Sequence, residues 1–217
     1  AVDGVSFELE RGARLALVGE SGSGKSTTAQ ALVGLHAPAR GSLCFDGHEL
    51  AHLGPRGWAP FRRRIQIVFQ DPAQTFDPRM RIGAILREPL DVHRIGKPAE
   101  RRMRALALLE AVGLETRLYQ RFPHELSGGQ AQRVALGRAL MVEPELLICD
   151  EPLSALDASV RAQIVNLLRE LVLRFELALI FITHDLGLAR FLCEEVAVMY
   201  LGRLVERGRR RGWLPVP

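Results

Sequence analysis

The segment Gly19-Glu20-Ser21-Gly22-Ser23-Gly24-Lys25-Ser26 constrains this chain more than any other. It lies between an apolar run, Leu15 to Val18, and a helix expected from about Ser26 to Leu35. It fits GxxxxGK[ST] at every fixed position and in the strand–loop–helix setting that the pattern needs. Its glycines let successive backbone N–H groups converge on one anion, and the following helix N-terminus adds partial positive charge. Lys25 and Lys97 are the only lysines in an arginine-rich chain, and a compact ammonium fits such a cradle where a planar guanidinium does not. Ser26 is placed to ligate Mg2+. Residues Gly19 to Thr27 are the expected binders of a nucleotide polyphosphate.

Strands and helices alternate around this loop. Val5 to Glu10 alternates at period two and predicts a strand, followed by a turn at Glu10-Arg11-Gly12 and the strand Leu15 to Val18. Gly41 to Gly47 and Ile65 to Phe69 predict further strands. From Asp71 to about His124, Pro72, Pro78, Pro89 and Pro98 punctuate short segments. Within that region Ala99 to Val112 reads as an amphipathic helix, with Met103, Leu106, Leu109 and Val112 on one face. Helices follow over Ala131 to Met141, Ser159 to Arg174 and Leu186 to Leu192. Strands are expected at Leu146 to Cys149, Ala178 to Ile182, Val196 to Tyr200 and Leu204 to Glu206. The expected fold is α/β, a P-loop NTPase core with a largely parallel sheet and an N-terminal antiparallel β portion. One domain is expected over 1–217: a core of 1–70 and 131–208, a helical subdomain inserted at about 71–130, and an irregular tail at 209–217.

Leu146-Leu147-Ile148-Cys149-Asp150 is an apolar strand ending in a carboxylate, with Glu151 next. A carboxylate at the C-terminal edge of a strand, beside a phosphate loop, suits a Mg2+ site. The second can polarise an attacking water. An acidic pair after an apolar strand means little alone; with the loop in the same sheet it points to phosphoryl transfer. Leu126-Ser127-Gly128-Gly129-Gln130 opens a helix upstream of that strand. It reads either as a plain helix cap or as a second anion-binding N-terminus, for which one triphosphate in one chain has little use.

The ordered set of phosphate loop, Gln70, LSGGQ, acidic strand, Ser154-Ala155-Leu156-Asp157 and His184 resembles the ATP-binding-cassette family, over about Val5 to Glu206. The resemblance implies an ATPase that binds ATP and Mg2+ and works as a head-to-tail dimer, identical or paralogous. ATP would lie between one subunit's Gly19–Thr27 and the other's Ser127, Gly128, Gly129 and Gln130. Glu151 would be the catalytic base, His184 would contact the γ-phosphate, and Gln70 would sense the metal and the water. Ser26, Gln70 and Asp150 would hold Mg2+, and Ser154 to Asp157 would communicate across the dimer.

Gln70-Asp71-Pro72-Ala73-Gln74-Thr75-Phe76-Asp77-Pro78-Arg79-Met80, Phe122-Pro123-His124-Glu125 and Val198-Met199-Tyr200-Leu201-Gly202 are similar to the dipeptide, oligopeptide and nickel importer branch. That implies transmembrane permease subunits, an extracytoplasmic solute-binding protein, and a peripheral position at the cytoplasmic face of the inner membrane. The 71–124 region would receive the permease. The family's first strand and adenine-stacking aromatic would precede Ala1, so the chain is expected to be a piece of a longer protein. Ala131 departs from the polar residue usual after LSGGQ, and Gly137 interrupts the helix at a cost of about 1 kcal/mol relative to alanine.

No run approaches the roughly 18 apolar residues of a membrane span, and the opening residues have no signal-peptide pattern. Cys44, Cys149 and Cys193 lack metal-ligand spacing and are expected to be small buried thiols. The net charge of +4 raises nucleic-acid binding. The arginines are dispersed, however, with runs only at Arg62-Arg63-Arg64 and Arg209-Arg210-Arg211 and no interleaved aromatics. Cassettes that work on nucleic acid in repair or translation carry long coiled coils or tandem copies. Here roughly a hundred residues separate Ser26 from Ser127, without sustained heptads, so no nucleic-acid partner is expected. A truncated cassette that binds ATP without turnover is the other alternative.

Overall fold

The structure, a computed structural model, describes residues 2–209. The expected tail, with most of the Arg209-Arg210-Arg211 run, lies outside the described residues. In chain order the elements are β1 (Arg14–Val18), α1 (Lys25–Leu32), β2 (Cys44–Phe45), β3 (His48–Glu49), α2 (Pro55–Trp58), α3 (Phe61–Arg64) and β4 (Ile65–Val68). After a 3-10 turn at Pro72–Thr75 come α4 (Ile82–Val92), α5 (Pro98–Ala111), 3-10 turns at Thr116–Gln120 and Pro123–Glu125, and α6 (Gly128–Leu140). The rest is β5 (Leu146–Asp150), α7 (Ala158–Arg174), β6 (Ala178–Thr183), α8 (Leu186–Leu192), β7 (Glu195–Tyr200) and β8 (Arg203–Arg209).

Contacts divide the described residues into two compact units, one of residues 2–67, 145–151 and 177–209, the other of 68–144 and 152–176. The first contains a six-stranded sheet in the order β4-β5-β6-β1-β7-β8. β5, β6, β1 and β7 run parallel, and β8 closes the edge antiparallel to β7. Strands covered on both faces read as continuous apolar runs, and every residue of β5 and β6 is buried. Leu15, Leu17, Ile148, Ile180 and Ile182 form the centre of the core, with Leu50, Trp58 and Phe61 packed on it.

Ion pairs fix the register where strands begin. Glu194 accepts from Arg14 Nε at 2.8 Å and from its backbone N–H at 3.2 Å, while the Glu194 N–H donates to the Arg14 carbonyl at 3.2 Å. Arg64 donates to Glu145 at 2.5 and 2.9 Å and to Asp46 at 2.6 Å, tying the 44–49 hairpin to the start of β5. The guanidiniums hold Glu194 and Glu145 below the usual carboxylate range.

In the second unit α4 packs against α5 and α6, and α6 against α7. Ile82, Ile85, Leu86 and Leu90 of α4 are buried, as are Ala105, Leu108 and Leu109 of α5 and Val134, Leu136 and Ala139 of α6. Gly137 has its reason here: a methyl there would stand 3.3 Å from Leu86 and 3.7 Å from Leu108 and Val112.

Five expectations are corrected. Val5–Glu10 forms no strand; Val5, Phe7 and Leu9 pack inward on the core and the alternation persists, so the period reports burial of one face without ladder pairing. The small antiparallel sheet is β2 with β3, two residues each where Gly41 to Gly47 was expected. The proline-punctuated stretch contains the 11-residue helix α4, which runs through Pro89. Pro89 sits in the last turn, where burial of Leu90 and the residues before it outweighs a penalty of about 3 kcal/mol. α5 buries Ala105, Leu108 and Leu109 and leaves Met103 70% exposed. Cys44 is exposed on its hairpin, 3.7 Å from Glu49, whereas Cys149 and Cys193 are buried.

Two outcomes are expected. A methyl at Gly83 would fall 2.3 Å from the Tyr119 ring. Gly83→Ala, ordinarily a gain in a helix, should therefore cost about 1–3 kcal/mol in urea unfolding, and the cost should shrink in a Tyr119→Ala background. Because the Glu194 carboxyl is depressed in the folded state, its pairing stabilises above the ordinary value of 4.5 and is lost as pH falls through the folded value. Arg14→Leu should lower Tm at pH 7 by about 2 °C, the scale of a pair half open to solvent, and the difference should shrink as pH falls below 4.5.

Candidate functional site

β1 ends at Val18 and the chain turns through residues 19–24 into α1, whose N-cap Gly24 has φ 106°. That left-handed backbone favours glycine. Gly19 is required by space, since a Cβ would lie 2.2 Å from the Met199 carbonyl oxygen. The loop wraps Lys25, which is 4% exposed, and its Nζ donates to the carbonyls of Gly19 and Glu20 at 2.8 Å each. Ser23 is buried and its hydroxyl has no hydrogen-bond partner among the described residues. Glycines that admit no side chain, a buried cation and an unsatisfied hydroxyl form a cradle suited to an anion.

The acidic strand faces this cradle. Ser26 Oγ donates to Asp150 Oδ1 at 3.0 Å. Burial raises the Asp150 carboxyl above its ordinary range, with Glu151 pushing the same way and the Ser26 hydroxyl and Lys25 opposing. Glu151 has φ 44° and donates its N–H to the Ile182 carbonyl at 3.1 Å. One of its carboxylate oxygens is 3.6 Å from Lys25 Nζ, and the other is 3.4 Å from Nδ1 of His184. His184 follows β6 directly. Its loop is fixed by Thr183, whose hydroxyl accepts from the Asp185 N–H at 3.1 Å, and by Asp185, which caps α8 by accepting from the Leu188 N–H at 3.1 Å. Neither was singled out in the sequence, although an aspartate before an apolar helical segment is an N-cap signal.

The first unit therefore brings together Gly19–Thr27, Asp150, Glu151 and His184. Gln70, Ser127–Gln130 and Ser154–Asp157 belong to the second. There Gln70 is exposed. Ser127 caps α6 in a reciprocal box: its hydroxyl accepts from the Gln130 N–H at 3.3 Å, and Gln130 Oε1 accepts from the Ser127 N–H at 3.0 Å. A methyl at Gly129 would meet Val160 at 2.5 Å and one at Gly128 would meet Leu156 at 3.4 Å. The two glycines let the start of α6 approach the 156–160 segment closely. Ser127 and Gly128 remain exposed.

Known proteins match this arrangement. The dipeptide transport ATP-binding proteins DppF of Haemophilus influenzae and Escherichia coli are each 48% identical, over 96% and 97% of this chain. The oligopeptide transport ATP-binding protein OppF of Escherichia coli is 49% identical over 96%. The chain spans 64%, 63% and 63% of those three proteins' own lengths. Among solved structures, the ATP-binding cassette MJ0796, dimeric in a post-hydrolysis state with ADP and Pi, superposes with a TM-score of 0.88 at 32% identity, covering 98% of this chain and 91% of that one. CbiO1 of Clostridium perfringens, part of the ABC transporter complex cbiONQ, gives 0.85 at 31% identity, covering 98% and 83%. Residues 2–154 match the ABC transporter family model, and with the loop, acidic strand and histidine in one site, this chain belongs to the ABC transporter family.

Proposed function

We propose that this chain binds ATP with Mg2+ and hydrolyses it as one of two paired cassettes, energising peptide import through membrane permease subunits. The observation that carries the reading is the convergence of Lys25, Ser26, Asp150, Glu151 and His184 at the C-terminal ends of β1, β5 and β6. Open α/β sheets bind ligands at that edge.

Lys25 and the N–H groups of the 19–27 segment neutralise the β- and γ-phosphates. Ser26 and Asp150 are hard oxygen donors already 3.0 Å apart. They fit Mg2+, which takes one or two protein oxygens with phosphates and water, and Gln70 is a further candidate ligand. Bound there, the metal supplies charge neutralisation for the phosphoryl group. Glu151 then accepts a proton from the attacking water as the water oxygen bonds to the γ-phosphorus and the bond to the ADP oxygen breaks. His184 stands beside Glu151 and contacts the γ-phosphate. Ser127–Gln130 serve the partner's nucleotide, and Ser154–Asp157 carry its state across the dimer. The dimeric relative MJ0796 with ADP and Pi supports this pairing.

Among the described residues no helix is long and apolar enough to cross a membrane. Coupling would run through permease subunits docked on the 71–124 region, at the cytoplasmic face of the inner membrane, with an extracytoplasmic binding protein delivering the solute. The names of the DppF and OppF relatives support a peptide as that solute.

Glu151→Gln tests the assignment, because an amide cannot take the water's proton. ATP titration should give an unchanged Kd, phosphate release should fall by about 10²–10⁴-fold, and size-exclusion chromatography with ATP should show a persistent dimer. Normal turnover in that variant would remove Glu151 from its role.

A further inference from the structure

The similarity at Val198-Met199-Tyr200-Leu201-Gly202 has no chemistry in the reading above, yet the turn between β7 and β8 bears on the phosphate loop at several points. The Gly202 N–H donates to the Ser23 carbonyl at 2.9 Å. The Met199 carbonyl oxygen occupies the space a side chain at Gly19 would need, 2.2 Å from its Cβ position. Met199 Cε lies 2.9 Å from the corresponding position at Gly24, and Gly202 Cα lies 3.6 Å from it. Thr28 Oγ1, one turn into α1, is 3.9 Å from the Met199 sulfur.

These contacts span both ends of the loop and its middle. They come from a strand end and turn whose geometry is unusual. The register shifts between Val198 and Met199, and both Leu201 (φ 45°) and Gly202 (φ 84°) have left-handed backbones. Without that conformation the Gly202 N–H would not be turned toward Ser23. The turn is braced from its other side: the Asp3 N–H donates to the Gly202 carbonyl at 2.8 Å, and the Asp3 carboxylate pairs with Arg203 at 2.6 Å. Met199 is 1% exposed and belongs to the core cluster, with Gly24 and Thr28 among its neighbours.

We infer that the Met199–Gly202 turn is the back wall of the phosphate loop, and that Met199 and Gly202 are positioning residues for it. They hold Gly19–Lys25 in the anion-binding shape without touching the phosphates. A loop of three glycines has high conformational entropy when unsupported. Its converging N–H groups are preorganised only if something outside the loop fixes them. Ser23, the one residue of the 19–24 segment with a buried side chain, has its carbonyl held by Gly202, so the turn grips the loop at its middle.

The inference rests on the reading that Gly19–Thr27 binds nucleotide phosphate, and the test separates the two. ATP and ADP are titrated with Mg2+ onto the full chain and its variants, with thermal melts alongside. Met199→Ala should raise Kd about tenfold for both nucleotides, and Met199→Leu, which refills the space, should stay within about twofold of wild type. Val196→Ala removes a buried side chain from the same strand away from the loop, and should lower Tm without changing Kd. Gly202→Ala, which leaves no cavity, should also weaken binding and speed amide exchange in the 19–25 segment relative to β5, and it decides the matter if Met199→Ala does not fold. Wild-type affinity in the folded variants, or an equal loss in Val196→Ala, would overturn the inference. Failure of the wild type itself to bind would overturn the nucleotide reading and the inference with it.

Discussion

A buried lysine is the constraint on which the site depends. Taking an ammonium out of water costs several kcal/mol unless its protons find acceptors. Lys25 finds two in the carbonyls of Gly19 and Glu20 and a carboxylate at 3.6 Å in Glu151. The loop must curl to aim those carbonyls inward, and the Met199 carbonyl beside it excludes a side chain at Gly19. The sheet order follows the same need. β6 lies between β1 and β5, so the helix leaving β1 has to reach over β6 for Ser26 to meet Asp150 at 3.0 Å. His184, at the end of the intervening strand, falls beside Glu151 for the same reason.

Where chemistry dictates residue type, the sequence was readable. A phosphate cradle needs glycines and a lysine at fixed spacing, and a metal-binding strand end needs a carboxylate; the two segments that residue type marks in this way, Gly19–Ser26 and Asp150-Glu151, come together in the structure. Among the described residues, six of the eight strands also lie where apolar runs predicted them. Pairing was less legible. Val5, Phe7 and Leu9 alternate as a strand would, and only the structure shows that one face is buried while no ladder forms. Met103 has the right spacing for the buried face of α5, yet α5 is rotated so that the smaller Ala105 meets its neighbours. Pro89 suggested an interruption because its penalty is local and visible, whereas the burial that outweighs it depends on helices distant in sequence.

The Met199–Gly202 turn was invisible for a different reason. It acts through a backbone carbonyl, a backbone N–H and the shape of a thioether, none of which residue type announces. Pattern similarity marked the segment and could not say what it does. Thr183 and Asp185 are a milder case. Their hydrogen bonds orient the His184 loop, and the cap is legible once the helix after it is known. Ser127 bears out the plain reading of that serine: its hydroxyl closes a capping box on α6, and Ser127 and Gly128 are exposed.

The adjacent carboxylates Asp150 and Glu151 show how one strand end can give two neighbouring acids different surroundings. Successive residues of an extended strand point to opposite faces, so two carboxylates in a row cannot both address one site while the backbone stays extended. Glu151 leaves the β conformation for φ 44°, a left-handed backbone that costs a residue with a Cβ about 1–2 kcal/mol, and its N–H is held on the Ile182 carbonyl. The rotation carries its carboxylate between Lys25 and His184, while Asp150 stays buried on Ser26. The two acids thereby acquire different surroundings. Asp150 is desolvated and accepts from the Ser26 hydroxyl. Glu151 lies 3.6 Å from the Lys25 ammonium and 3.4 Å from the exposed His184 imidazole. The strain at position 151 is the local consequence of turning two neighbouring carboxylates toward different surroundings.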